Sequence, residues 1–377
     1  MRIVQVAPFY APHAGGVESH VRALAREFAR QGHDLTVLTS QYDPRLPREE
    51  RLEGYRVVRA PVWGVWFDTP IDPSVKDLLG RIEADVVHFH FPPPLTSFYG
   101  TRALRSRRVP SCLTYHCDLF LATPLGRFAT SAYNRLLLPG TLRRVDRIIV
   151  HTRSYALTSR PLRGRAVEII PSSVDLDRFR PEVDGTAIRA RLGLTDRRVI
   201  GFTGRLVPHK GVDTLLRALA RLPADVALLV VGRGPDLPEL SELARRLGLS
   251  GRVRFCPRVS DEELPAFLKA ADLFVFPSVN RLEGFGLAVA EALATGLPVV
   301  VADIPGVREI IEPGVEGLLA EPLLEEDLAA KLCELLDDPS RRERMGRAAR
   351  SRAESRYGVT TITASLMDVY RRLREAG

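Results

Sequence analysis

The sequence predicts an α/β chain of two doubly wound, parallel-sheet lobes facing across a cleft. Three observations lead there. At 377 residues the chain is longer than one hydrophobic core usually grows, so two domains are expected. Short β-branched runs alternate with amphipathic segments throughout, the signature of βαβ units and parallel sheets. The pattern breaks in a charge-rich stretch from Leu176 to Arg198, which holds Pro181 and Gly185, and then starts afresh.

In the first half the runs Ile3–Ala7, Leu35–Leu38, Arg56–Arg59, Asp85–His90, Ser111–Tyr115, Arg147–His151 and Glu168–Ile170 read as strands. Helix Val17–Gln31 follows the first of them and stops at Gly32, a residue suited to the left-handed position after a helix. Within the break, Thr186–Leu192 reads as a short helix. The second half supplies strands Val199–Thr203, Ala227–Val231, Arg252–Phe255, Leu273–Phe276 and Pro298–Ala302, each trailed by a helical stretch. The expected lobes are residues 1–180 and 181–359. The tail, 360–377, carries an amphipathic helix, Thr360–Arg374, that closes the second lobe or crosses back to the first. No repeat of roughly 20–50 residues is visible, which excludes a solenoid.

Hydrophobic residues at 45% and charged residues at 27% are globular values and exclude a disordered or collagen-like chain. No apolar run reaches the ~18 residues that cross a bilayer. The N-terminal MRIVQVAPFY begins as a strand with no charged leader, so a cytoplasmic chain is expected. Cys112, Cys117, Cys256 and Cys333 form no CxxC pair and read as reduced thiols.

Charge is placed unevenly. Residues 1–175 carry 24 Lys+Arg against 16 Asp+Glu, whereas residues 176–377 carry 30 of each, so the whole net charge of +8 belongs to the first half. Nine arginines lie between residues 102 and 147, interleaved with Leu104, Phe120, Leu121, Phe128, Tyr133, Leu136, Leu137 and Leu138. Guanidinium groups meet phosphates while apolar side chains enter an interface, so this stretch suits an anionic membrane surface or an anionic acceptor. The alternative is a solvated helix face in an arginine-rich chain, since 50 of the 54 basic residues are Arg. Nucleic acid is disfavoured, because neither a helix-turn-helix pattern nor an aromatic RNA-binding strand accompanies the charge.

Ligands of open α/β sheets lie beyond the carboxyl ends of the strands. The strongest signal there is Glu283-Gly284-Phe285-Gly286-Leu287-Ala288-Val289-Ala290-Glu291, in a helix stopped by Gly296 and Pro298. A helix starting near Gly286 aims free N–H groups and its positive dipole end at whatever precedes it, which makes an anion site. Glu291, about a turn and a half in, leans back toward that end and suits ribose hydroxyls; Glu283 stands ahead of the turn, where a sugar would be. A second place is Gly204-Arg205-Leu206-Val207-Pro208-His209-Lys210-Gly211, between strand Val199–Thr203 and helix Val212–Ala220. Arg205 offers a planar fork and Lys210 a point charge, a pairing suited to a diphosphate, although GxxxxGK[ST] is absent. Lys210 is one of only four lysines.

Two weaker places belong to the first half. Gly15-Gly16-Val17-Glu18 opens the first helix, without the G-x-G-x-x-G of a dinucleotide site. His116-Cys117-Asp118 ends strand Ser111–Tyr115, where His116 either caps a strand or meets substrate. His88 and His90 share a strand face as an HxH pair, but no third ligand lies at usable spacing. With no Gly-x-Ser-x-Gly elbow and no HExxH helix, triad hydrolases and zincins are disfavoured.

Taken together, Glu283 to Glu291 with its E-x7-E spacing, the Gly204–Gly211 loop, Val231-Gly232-Arg233-Gly234-Pro235, Gly15-Gly16-Val17-Glu18 and Pro171 to Asp175 resemble the retaining glycosyltransferases of family 4. That resemblance covers essentially the whole chain in order, and it implies the GT-B fold of two Rossmann-like lobes. It further implies that the second lobe binds a nucleotide-diphosphate sugar, GDP- or UDP-linked, and the first a glycan or lipid-linked acceptor. The hexose would move in the cleft between them, with mannose slightly favoured. Arg205 and Lys210 would hold the diphosphate, Glu291 the ribose, and Glu283 with the backbone of Gly284, Phe285, Gly286 and Leu287 the sugar and its phosphate. Gly16 would line the donor from the first lobe, His116 would lie near the transferred sugar, and Phe255–Val259 would lie beside the base. His116, Glu283, Arg205 and Lys210 are thus the expected catalytic set. No DxD-type carboxylate pair accompanies the cations, so neither metal nor cofactor is expected. In Pro171-Ser172-Ser173-Val174-Asp175, Ser173 stands where such enzymes usually have glycine, which puts the local backbone conformation in question.

Two other classes share these features. A nucleotide-sugar epimerase would act without acceptor, and a non-catalytic binder of sugar nucleotides or anionic lipid would be stabilised by ligand without turnover.

Overall fold

The computed structural model describes residues 1–13, 15–104, 109–121 and 123–376. The chain forms two compact units, Met1–Ser173 together with Val359–Gly377, and Val174–Gly358.

The first unit contains β1 (Arg2–Val6), β2 (Asp34–Gln41), β3 (Glu49–Leu52), β4 (Tyr55–Pro61), a hairpin of β5 (Gly64–Trp66) and β6 (Thr69–Ile71), then β7 (Val86–Phe91), β8 (Ser111–Tyr115), β9 (Arg147–Val150) and β10 (Glu168–Ile169). Its main sheet runs β10-β9-β8-β7-β1-β2-β4-β3, with β3 antiparallel to β4. Winding reverses at β1, which pairs with β2 on one side and β7 on the other. Because side chains alternate across a strand, the sheet buries two separate cores. Ile3, Val37, Val86 and Cys112 face one, and Val4, Leu38, Val87 and Leu113 face the other.

The second unit carries β11 (Arg198–Thr203), β12 (Val226–Val231), β13 (Val253–Cys256), β14 (Leu273–Phe276), β15 (Val299–Ala302) and β16 (Gly317–Ala320). They pair in parallel as β13-β12-β11-β14-β15-β16, the 3-2-1-4-5-6 order of a doubly wound sheet.

The strands read from sequence are present with ends shifted by a residue or a few, while β3, β16 and the β5–β6 hairpin escaped that reading. Glu49-Glu50-Arg51-Leu52 is a charged edge strand, half exposed, and lacks the apolar alternation of a core strand. The tail forms helix Val359–Ala376 and belongs to the first unit. Ile362, Leu366, Val369, Tyr370 and Leu373 join Val21, Leu24 and Phe28 of helix Gly16–Arg30 in one core. Tyr370 is fully buried, with its hydroxyl 2.6 Å from His88 Nδ1. Of the arginines in the basic stretch, Arg102 stacks over Phe98, and Arg105, Arg107 and Arg108 lie outside the described residues.

Tyr370→Ala should lower the stability of the first unit by about 3–5 kcal/mol, as for other large buried side chains. Tyr370→Phe, which removes only the hydroxyl, should cost about 1–2 kcal/mol. Urea unfolding followed by circular dichroism checks both values.

Candidate functional site

Strand β11 is the central strand at which the second sheet reverses, so the chain leaves β11 and β14 toward opposite faces and a crevice opens beyond their carboxyl ends. After β11 comes the single turn Pro208–Lys210, closed by Gly211 at φ 67°. A Cβ on Gly211 would stand 2.2 Å from the carbonyl oxygen of Pro277, just past β14, so only glycine lets the two loops touch. The Val279 N–H donates to the His209 carbonyl at 2.9 Å and ties them together.

That contact brings together two residues distant in sequence. Lys210 Nζ lies 2.5 Å from Glu283 Oε1, and His209 Nε2 lies 3.5 Å from the same oxygen. Glu283 is only 8% exposed, and burial alone would raise its pKa. The Lys210 charge and hydrogen bonds from His209 and Lys210 outweigh burial and hold the carboxyl at about 2, so it is ionised at any physiological pH. Lys210 also sits over the Phe276 ring, with Nζ 4.8 Å from its centre.

Beyond Glu283 the backbone turns through Gly286 at φ 63° into helix Leu287–Ala294. The N–H groups of Leu287 and Ala288 meet no acceptor among the described residues, leaving the positive helix end open. Glu291 is half-buried on this helix; desolvation, opposed by the charge of Arg178, raises its carboxyl to about 7. Arg205 is exposed and has no carboxylate partner among the described residues. The second unit therefore combines an ionised carboxylate, a fixed ammonium, a free guanidinium and a helix N-terminus, a set that can take a diphosphate and neighbouring hydroxyls. The loop after β13 begins next to this region, since the Gly232 N–H donates to the Cys256 carbonyl at 3.1 Å.

Gly16 and His116 belong to the first unit. Gly16 is the exposed first residue of helix Gly16–Arg30, and a Cβ there would meet nothing within 4 Å. His116 follows β8, is 8% exposed, and has both ring nitrogens engaged: Nε2 with His90 Nδ1 at 3.1 Å and Nδ1 with His151 Nε2 at 2.9 Å. His88 and His90 stack at 4.5 Å, but the nitrogens of His88 meet Tyr370 and Thr114. Ser173 is not among the residues with positive φ; its N–H donates to His20 Nδ1 at 3.3 Å, so serine fits this position with ordinary backbone. All four cysteines are free thiols.

Sequence reasoning assigned no role to His209, although it lies inside the quoted loop. It also missed His20 and His151 as neighbours of His116. The only signal was position, since His116 and His151 each follow directly on a strand.

Comparison with known proteins agrees with this architecture. The family model described as Glycosyltransferase Family 4 matches residues 14–178, and that described as Glycosyl transferases group 1 matches residues 184–352. A GDP-mannose-dependent alpha-(1-6)-phosphatidylinositol monomannoside mannosyltransferase of Mycolicibacterium smegmatis is 33% identical, over 97% of each chain. A phosphatidyl-myo-inositol mannosyltransferase of the same organism is 32% identical, over 100% of this chain and 95% of that one. In fold, the chain superposes on a sucrose-phosphate synthase from Thermosynechococcus elongatus with a TM-score of 0.83 at 24% identity, over 100% of both chains. The epimerase alternative falls, because relatives that match end to end are glycosyltransferases. The chain belongs to glycosyltransferase family 4, has the GT-B fold and is a hexosyltransferase.

Proposed function

We propose that this enzyme transfers mannose from GDP-mannose, with retention of anomeric configuration, to an inositol-containing phospholipid at the cytoplasmic face of a membrane. The names of the full-length relatives support the donor and acceptor classes. The observation that carries the reading is the Lys210–Glu283 pair beside the open N-terminus of helix Leu287–Ala294.

On this reading Arg205, Lys210 and the helix N–H groups bind the diphosphate. Negative charge grows on that group as the glycosidic bond breaks, and fixed positive partners stabilise it without reorganising. Glu283 accepts hydrogen bonds from sugar hydroxyls, Glu291 from the ribose, and His116 lies near the transferred sugar. Gly16 is the donor-lining residue assigned to the first unit.

The acceptor side is supported by the surface of the first unit. Helix Pro124–Leu136 buries Gly126, Thr130 and Tyr133 and exposes Leu125, Phe128 and Leu136 beside Arg127 and Arg135. Trp63 at 81% exposure and Trp66 at 57% project from the β5–β6 hairpin region. Apolar anchors beside arginine are what an anionic bilayer surface binds. None of the described helices is long and apolar enough to cross a membrane.

Arg205→Ala is the cleanest test of the diphosphate site, because the Arg205 side chain has no partner among the described residues to strand. Its thermal stability should match wild type, while kcat for mannose transfer falls about 100-fold; unchanged transfer would remove the assignment. Proton NMR of the first product formed should show the α-anomer, and a β-product would refute retention.

The raised Glu291 carboxyl gives a pH-dependent stability. Between its ordinary range near 4.5 and its folded value of about 7, the unfolded chain is ionised while the native state keeps the proton, so stability falls as pH rises. Glu291→Gln removes that loss. In the ligand-free protein the variant should gain roughly 1–3 kcal/mol on wild type between pH 5 and pH 8, measured by urea unfolding.

The chain has two tryptophans, both at the exposed hairpin region, so selectively excited tryptophan fluorescence reports on that surface. Emission should shift to the blue with anionic vesicles, stay unchanged with neutral ones, and reverse as salt is added.

A further inference from the structure

Five of the eight histidines, His20, His88, His90, His116 and His151, are buried together on one face of the first sheet. Three of them form a continuous ladder across adjacent strands. Gln5 of β1 touches His90 of β7, His90 touches His116 after β8, His116 touches His151 after β9, and His151 Nδ1 reaches the Ile170 carbonyl beyond β10 at 3.0 Å. Burial pushes His90 and His116 well below the imidazole range and His151 down to about 4, so all three are neutral near pH 7.

Neutrality fixes the proton count. A neutral imidazole has one N–H to give and one lone pair to accept with, so three of them supply three protons to four links. The fourth must come from an end group. The Ile170 carbonyl has none, whereas the Gln5 amide has two. Gln5 Oε1 stands 3.3 Å from His90 Nε2 while its own Nε2 is buried without a partner, and a half-turn of the amide points that N–H at His90. Every link then runs one way. Gln5 donates to His90 Nε2, His90 Nδ1–H to His116 Nε2, His116 Nδ1–H to His151 Nε2, and His151 Nδ1–H to the carbonyl. His20, fixed by the Ser173 N–H and within 3.0 Å of the Ser172 hydroxyl, lays its ring across His116 and His151 at 5.5 Å.

The ladder lies where an open α/β sheet presents ligands, and His116 is the rung that keeps 8% exposure while His90 has none. We propose that His90 and His151 are positioning residues that clamp His116 between them as the neutral Nδ1–H tautomer, so that the edge it offers to the transferred sugar is set before substrate binds. This rests on the placement of His116 near the sugar. Under it His116 is no general base, because neither nitrogen is free; it acts as a fixed wall of the site.

The test has one arm without substrate and one with it. In protein labelled with 15N-histidine at pH 7, the His116 ring should show a protonated Nδ1 and an unprotonated Nε2. The opposite tautomer, or an imidazolium, overturns the clamp whatever the enzyme turns over. For the second arm, His90→Phe keeps the ring volume and removes the donor, whereas His90→Asn keeps an N–H near the Nδ1 position. With whichever nucleotide sugar wild type uses, His90→Phe should lower kcat at least ~10-fold with little change in KM, and His90→Asn should recover most of it. Equal kcat in wild type and His90→Phe overturns the positioning role. Should His90→Phe fail to fold, His151→Gln, which keeps an acceptor for His116, is compared with His151→Phe in the same way. A correct tautomer in an enzyme that ignores GDP-mannose refutes the donor assignment and leaves the clamp standing.

Discussion

Burial of the Glu283 carboxylate is the constraint around which the second unit is arranged. A carboxylate withdrawn from water costs several kcal/mol unless a positive partner and hydrogen bonds meet it. Lys210 at 2.5 Å is that partner, and it arrives only because β11 is the strand where the sheet reverses and Gly211 lets its loop lie against Pro277. Sheet order, glycine and ion pair therefore depend on one another. The pair also bears on the chemistry proposed. A diphosphate can replace the carboxylate at Lys210 without leaving the ammonium uncompensated, whereas a Glu283 carboxyl released from Lys210 loses the charge that opposes burial and has to be met by sugar hydroxyls to stay ionised.

Much of this was legible in the sequence, for physical reasons that differ from element to element. Strands β8 and β14 and helices Thr186–Leu192 and Val212–Ala220 occupy the residues read for them, because apolar runs bounded by turn residues are a local signal. Strand β3 was invisible because its four residues are mostly charged and pair only at an edge. The E-x7-E segment and the Arg205–Lys210 loop read in the sequence as two separate candidate anion sites; that Lys210 and Glu283 are one ion pair was not legible, since it follows from strand order rather than from any local pattern. The departure at Ser173 illustrates the same limit. A serine in place of glycine put the local backbone conformation in question, yet the structure gives it an ordinary φ and bonds it to His20, a residue more than a hundred positions away.

The Lys210–Glu283 pair and the histidine cluster handle buried polarity in opposite ways. In the pair, charge is retained: an ammonium and a carboxylate are held in contact. In the cluster, polarity is retained and charge is lost, because five imidazoles pack against one another with pKa values pushed down by burial. The difference suits different tasks. A charge pair attracts a charged ligand and answers to its arrival, while a neutral ladder has orientation but little field, and serves to hold geometry.

The excess charge of the first half is then a surface property. Its buried histidines contribute nothing to the +8 of residues 1–175, whereas arginines such as Arg127 and Arg135 face water. Exposed charges act over about a Debye length, roughly 8 Å at physiological salt, and each contributes little by itself. Summed over one unit, such charges would attract the anionic surface proposed above without selecting a molecule on it. Selection has to come from contacts of short range, and the apolar side chains of helix Pro124–Leu136 and the tryptophans near β5 are placed to make them only after the charge has brought the surface close. On the proposed function, long-range attraction by many weak charges in one unit and close binding of a diphosphate by a few fixed groups in the other are separable tasks, and the uneven distribution of charge along the chain fits that separation.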